Sequence, residues 1–336
     1  MVFVHHHGPS APWLEQPLIQ AAIGQLYTGV TLFFVLSGFL ITYRYFDLPG
    51  TSVKCFLARR FGRILPLYVL LTTLTFVSSW VTKETSASSL ALIYLANITF
   101  VRGWFEDLWA SGILQGWSLT VEMTFYLLAL PIFWIIRWRT LAIIFLPVLL
   151  LSTGMLLVLW VDGMAPLGFM GSFPFLFGIT FFGRCSEFFI GVALAMWFRS
   201  NNKERVGQRF TYSGVLISIL VLVAQALIGG GFYATTGVIL NNVILPIGIA
   251  LFFYGSLTEK TVLSRVLSSV PMQFLGRTSY AFYLIHMGVV FSAVYALTNS
   301  LAASFILLQL GAWLLYQFME RPVYDRIKRR FPLPGS

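Results

Sequence analysis

Three consecutive histidines, His5, His6 and His7, follow an apolar stub at the start of the chain. Histidine titrates near neutrality, so this cluster is the first candidate for a general base. Metal binding is the poorer reading, because successive residues on a helix point about 100° apart. No cysteine or further histidine completes an evident ligand set, and no metal is expected. Polar residues inside hydrophobic segments are costly and are functional candidates by default. Glu122 lies in GWSLTVEMTFYLLALP, where Ser118 and Glu122 share a helix face, with Phe125 and Tyr126 one turn on. It serves either a site or an ion pair with an arginine of another helix. Arg184 and Glu187, spaced i, i+3, suit a mutual ion pair that holds an outer loop, or contacts to a substrate. Ser279, Tyr283 and His286 form a polar stripe at helical spacing, in which His286 reads first as a hydrogen-bonded packing residue. Arg60 and Arg63, beside Arg59 in FLARRFGRILPLY, lie one turn apart at a helix start. They anchor that end on the cytoplasmic side, and their planar donors suit phosphate groups. There is no GxSxG elbow, Walker loop or GxGxxG motif.

These residues need elements to hold them, and composition says which. The 336 residues are 58% hydrophobic and 10% charged, whereas a soluble domain is about a quarter charged. Apolar runs of about 20 residues read as transmembrane helices. The expected fold is all-α, a polytopic membrane bundle in a single domain over 1–336, with no soluble appendage. The expected spans are Gly24–Tyr45, Ile64–Val81, Trp117–Ile136, Leu141–Val161, Glu187–Phe198 (beginning nearer Ile179), Tyr212–Ile228, Thr235–Tyr254, Tyr280–Leu297 and Leu301–Phe318. Ser37–Gly38 is expected to let helices approach closely. The net charge of +10 does not point to nucleic acid, since the basic residues sit between spans and orient the protein. With Leu90–Val101 as a re-entrant or interfacial segment, span counting puts all 22 basic residues except Lys83, Arg102 and Arg184 on the cytoplasmic side. Nine spans then end inside. The stub before the first is expected to be the remnant of a tenth helix whose front is missing. Cys55 and Cys185 show neither a disulfide framework nor a CxxC spacing.

Five segments, LFFVLSGFLI, FLARRFGRILPLY, GWSLTVEMTFYLLALP, LGRTSYAFYLIH and MERPVY, resemble in order the acyltransferase-3 family of bacterial integral membrane acyltransferases. The resemblance implies a ten-helix bundle in the bacterial inner membrane with both termini cytoplasmic. It also implies transfer of an acyl group, commonly acetyl from acetyl-CoA, to a hydroxyl of a cell-envelope or exported carbohydrate, or of a lipid. Acyl-CoA is then a co-substrate, and no bound cofactor is implied. Matching VFVHHH to the family's first helix places His6 at the catalytic histidine, with His5 as the alternative. The family's basic residue, separated from that histidine by ten residues in the same helix, is expected before this sequence begins. Arg60, Arg63, Glu122, Tyr283 and His286 fall on family motif positions, and Arg184 and Glu187 match more loosely. Glu122 is expected to orient His6 or to bind a positive partner. The competing classes are a membrane transporter and a non-catalytic membrane subunit. No internal repeat and no matching pair of broken helices supports the transporter.

Overall fold

The computed structural model describes residues 1–8, 16–48, 52–81, 87–161, 163–201, 207–228 and 235–333. Lys83, Lys203 and Arg205, three charges used in the span count, lie outside them. In chain order the helices are α1 (Val2–His7), α2 (Pro17–Gly24), α3 (Gly29–Tyr45), α4 (Val53–Val81), α5 (Ala87–Ile98), α6 (Trp117–Trp138), α7 (Ala142–Val161), α8 (Phe173–Ile179) and α9 (Phe181–Ser200). There follow α10 (Arg209–Ile228), α11 (Thr235–Ile239), α12 (Leu245–Thr258), α13 (Val262–Leu267), α14 (Val270–Ile285), α15 (Gly288–Thr298), α16 (Leu301–Leu315) and α17 (Arg321–Arg330). A π-turn at Leu240–Ile244 joins α11 to α12, and another at Tyr316–Glu320 joins α16 to α17.

Among the described residues all regular structure is helical, as lipid requires of a chain that must satisfy its own backbone. Among the described residues eight helical stretches are long and apolar enough to cross a membrane, or nine if the bent pair α14–α15 is one span. The chain is a multi-pass membrane protein. α5 has twelve residues, about 18 Å at 1.5 Å per residue, against a hydrocarbon core of about 30 Å. The expected straight span Tyr280–Leu297 is broken, because α14 and α15 meet at 97° across His286 and Met287. No proline marks that break. Its one sequence sign is Gly288, which has φ of +71°.

The described residues form two compact units. The first comprises Met1–Asp47, Pro131–Asp162 and Ser172–Met272; the second comprises Leu48–Leu130, Gly163–Gly171 and Gln273–Ser336. In the first unit α3 lies against α9, and Gly38 explains how closely. A Cβ on Gly38 would collide with the Phe188 carbonyl, and a Cβ on Gly191 with that of Val35. Two bare backbones in contact recover the dispersion energy that lipid cannot supply. The same unit holds a carboxylate at the start of α10. Glu259 accepts from the amides of Phe210 (3.0 Å) and Thr211 (2.9 Å) and from the Thr211 hydroxyl (2.7 Å). Its burial works against ionisation, but these donors hold the carboxyl below its ordinary range. In the second unit α17 docks on α4. Arg59, 2% exposed, donates from Nε to the Phe331 carbonyl at 2.8 Å, and the Cys55 thiol reaches the same carbonyl at 3.4 Å. Arg59 is thus a cation on the last carbonyls of a helix. Both cysteines are buried and free.

Gly38→Ala and Gly191→Ala should each destabilise the protein by about 1–3 kcal/mol through overpacking, read as a lower unfolding temperature in detergent. Glu259 contributes fully above its unfolded pKa of about 4.3, and the contribution fades as pH falls through the depressed folded value. The gap in unfolding temperature between wild type and Glu259→Gln should therefore shrink between about pH 6 and pH 3. A constant gap would show that the charge does not matter.

Candidate active site

The first unit carries the histidines and the Arg184–Glu187 pair. His5 lies in α1 and places Nδ1 3.3 Å from the Ile23 carbonyl, with its ring 5.7 Å from that of Tyr27. A carbonyl only accepts, so Nδ1 carries the proton and Nε2 is the basic nitrogen. His6 is exposed on the same helix, its ring 4.8 Å from that of His5.

Arg184 and Glu187 do pair, with Nε–Oε2 and Nη2–Oε1 both at 2.9 Å. The pair does not hold an outer loop. Both residues lie inside α9, 1% and 0% exposed, so the reading in which the pair holds an outer loop is corrected. The guanidinium also donates to Thr31 Oγ1 of α3 (3.1 Å) and to Asn242 Oδ1 of the π-turn (3.3 Å), and it lies over the Phe34 ring. Asn242 Nδ2 in turn donates to the carbonyls of Phe177 and Gly183, each at 3.0 Å. The Phe177 carbonyl is in the last turn of α8, where the helix stops at Thr180 and leaves it without a helical amide.

The second unit holds the other candidates in two groups. In one, Glu122 accepts a hydrogen bond from the Tyr126 hydroxyl one turn on. The Arg60 guanidinium sits 5.7 Å from the Tyr126 ring centroid. Arg63, one turn further along α4, is exposed and reaches Glu320 at 3.9 Å, with Tyr126 and Glu122 among its electrostatic neighbours. Tyr280 of α14 donates to the Ile64 carbonyl at 2.7 Å and has both Glu320 and Glu122 as neighbours. Three predicted residues, Arg60, Arg63 and Glu122, thus come together, joined by Tyr126, Tyr280 and Glu320. Planar cations beside a carboxylate and phenols can grip an anion and pass a proton.

The other group surrounds the helix break. Arg102, fully buried and left off the cytoplasmic side by the span count, donates to Asn97 Oδ1 (2.9 Å) and to the carbonyls of Ser111 and Ile113 (2.6 Å to the latter). These acceptors are all neutral, and burial pulls the guanidinium below the ordinary arginine range, against the pull of Tyr68 and Tyr283. It fixes the segment leading into α6. A Cβ on Gly116 would meet Arg102 Nη2 at 2.5 Å, so a side chain here would displace the guanidinium. One residue earlier, Gln115 Nε2 donates to the carbonyls of Tyr283 (2.9 Å) and Leu284 (2.8 Å). The Tyr283 hydroxyl returns to the Gln115 carbonyl at 2.9 Å and touches Ser118 Oγ at 2.8 Å. Buried His286 places Nδ1 2.7 Å from the Tyr283 carbonyl, the hydrogen-bonded setting read from the sequence. Ser279, one turn before Tyr283 in α14, bonds locally to the Gly276 carbonyl.

Asn97, Arg102, Gln115, Tyr280, Glu320 and Asn242 escaped the sequence reading. Asn242 carried a usable signal, an adjacent pair of asparagines, Asn241 and Asn242, in an apolar run, and Glu320 carried another, a carboxylate at the end of one. The others bind backbone carbonyls whose need arises only in the folded chain. Among the described residues no three His, Cys, Asp or Glu side chains are grouped to hold a metal ion.

A family model described as an acyltransferase domain matches residues 1–319. The chain belongs to the acyltransferase-3 family. It is 25% identical over 335 residues to the O-acetyltransferase OatA of Staphylococcus aureus strain NCTC 8325, an alignment covering 88% of this chain and 52% of that protein. A protein of S. aureus strain COL, named provisionally as an O-acetyltransferase, is 24% identical over 347 residues with the same coverage. The chain spans about half the length of the curated relatives it matches. No solved structure matches it.

Arg184→Gln or Glu187→Gln alone should leave a buried charge uncompensated, at a cost of about 3–5 kcal/mol. The double variant Arg184→Met, Glu187→Met should recover much of that. Thermal unfolding of the three variants checks this, and additive losses in the double variant would contradict a coupled pair.

Proposed function

We propose that the chain is a membrane-embedded O-acyltransferase, one acyltransferase domain, which moves an acyl group, acetyl in the first instance, from acyl-CoA to a hydroxyl of a cell-envelope or exported carbohydrate. Family membership supports the reaction class, and the names of the relatives support acetyl transfer to oxygen. The observation that carries the reading is the group formed by Arg60, Arg63 and Glu122. Two arginines one turn apart at the end of a span, one of them exposed, suit the phosphates of a CoA thioester. In this reading that end of α4 is cytoplasmic, the protein lies in the bacterial inner membrane, and its C-terminus is cytoplasmic.

The base is His6 or His5. It takes the proton from the acceptor hydroxyl as the oxygen attacks the thioester carbonyl. The tetrahedral intermediate collapses, the C–S bond breaks, and the CoA thiolate takes a proton back. His5 has the firmer setting, since its bond to Ile23 leaves Nε2 as the basic nitrogen. Arg60 and Arg63 bind the donor, which is consumed rather than held as a cofactor. Glu122, beside Arg60 and Arg63 in its own unit, binds a positive group. Arg184 and Glu187 support the fold around α3 and α9. The broken pair α14–α15 favours a second reading, a transporter. That architecture calls for a matching broken pair, and the described residues contain one bent pair.

Membranes containing the chain, given labelled acetyl-CoA, should transfer label to carbohydrate or lipid. His6→Ala or His5→Ala should lower transfer by about 10²–10⁴-fold, the range for losing a general base, while Arg63→Gln should raise KM for acetyl-CoA. Solute uptake without covalent transfer would favour the transporter instead.

A further inference from the structure

The break between α14 and α15 poses a problem that the surrounding residues answer. In a continuous helix the carbonyls of Tyr283 and Leu284 would accept from the amides of Met287 and Gly288. α14 ends at Ile285 and α15 leaves at 97°, so those amides turn away. Inside a bilayer no water replaces them. Both protons of the Gln115 side-chain amide go to these two carbonyls, at 2.9 and 2.8 Å. The clamp is reciprocal, since the Tyr283 hydroxyl holds the Gln115 carbonyl. Gln115 is itself held, because Arg102 grips the carbonyls of Ser111 and Ile113 just before it. The Tyr283 carbonyl so fixed has a second donor, His286 Nδ1 at 2.7 Å. A carbonyl cannot donate, so this nitrogen bears the proton and the ring's lone pair lies on Nε2. The Phe282 ring stacks 6.0 Å away, nearly parallel to the imidazole, and limits its rotation.

We infer that Gln115 is a positioning residue: by holding the carbonyls of Tyr283 and Leu284 at the helix break, it fixes His286 as the Nδ1-protonated imidazole, with Nε2 as a second proton-accepting nitrogen of this protein. The tautomer depends on geometry alone. Use of that nitrogen in acyl transfer rests on the function proposed above, and the two parts are tested separately.

The chain has four histidines, so ring-¹⁵N-histidine labelling gives a sparse spectrum. In detergent above about pH 8, where imidazole with its ordinary pKa of about 6.5 is neutral, His286 should show a protonated Nδ1 and an unprotonated Nε2. His286→Gln assigns the signals by removing them. Gln115→Met, which keeps length and apolar bulk but has no donor, should give a mixture of the two tautomers; Gln115→Leu, which also lacks the donor, should do the same if Gln115→Met does not fold. Tyr283→Phe should loosen the tautomer less, because it removes one side of the clamp and leaves the carbonyl in place. Nε2 protonation in the wild type, or an unchanged tautomer in both Gln115 variants, would overturn the inference. In the acyl-transfer assay Gln115→Met should lower kcat about tenfold with KM for acetyl-CoA unchanged. An unchanged kcat with a mixed tautomer would leave the positioning in place and remove His286 from the reaction.

Discussion

Hydrocarbon offers no hydrogen bonds, so a carbonyl that loses its helical amide within a span must find a donor inside the protein. Much of the polar interior of this chain answers that one demand. Where α8 stops at Thr180, the side-chain amide of Asn242 takes the orphaned carbonyl of Phe177. Where α14 stops at Ile285, the side-chain amide of Gln115 takes those of Tyr283 and Leu284. Each unit thus contains one interrupted helix repaired by an amide from another part of the chain. Each repair lies beside groups able to do chemistry, Arg184 and Glu187 in the first unit and His286 in the second.

The arginines divide by the same logic. Arg59 closes the end of α17, Arg102 gathers the segment before α6, and Arg184 pairs with Glu187. All three are buried. Arg60 and Arg63, their near neighbours in sequence or type, are arranged otherwise, one against an aromatic face and one exposed beside Glu320. A cationic side chain held by backbone carbonyls is part of the scaffold. One set at the end of a span beside a carboxylate and phenols can meet a ligand.

The spans were legible because hydropathy and the bilayer's thickness constrain them strongly. The Arg184–Glu187 pair was legible because i, i+3 spacing puts both on one helix face. Arg60, Arg63 and Glu122 were legible one by one, as polar residues near span ends and as family motif positions; their assembly was not, since nothing in the spacing brings α4 to α6. The bend at His286 left almost no mark, because Gly288 alone does not distinguish a break from a packing site. Gln115 and Arg102 could not be read at all. Their role is defined by carbonyls that become orphans only when the chain folds, and glutamine before an apolar run is otherwise unremarkable.

The i, i+3 spacing of Arg184 and Glu187 has a consequence for how the protein is made. The partners that complete this network are far off in the chain, Thr31 already synthesised and Asn242 still to come when α9 emerges. A bare guanidinium or carboxylate would resist entry into the lipid at that moment. Because the two charges lie on one turn of one helix, each can neutralise the other within the nascent segment. α9 can therefore leave the translocon as a nearly neutral rod and add the contacts of α3 and the π-turn to that pair afterwards.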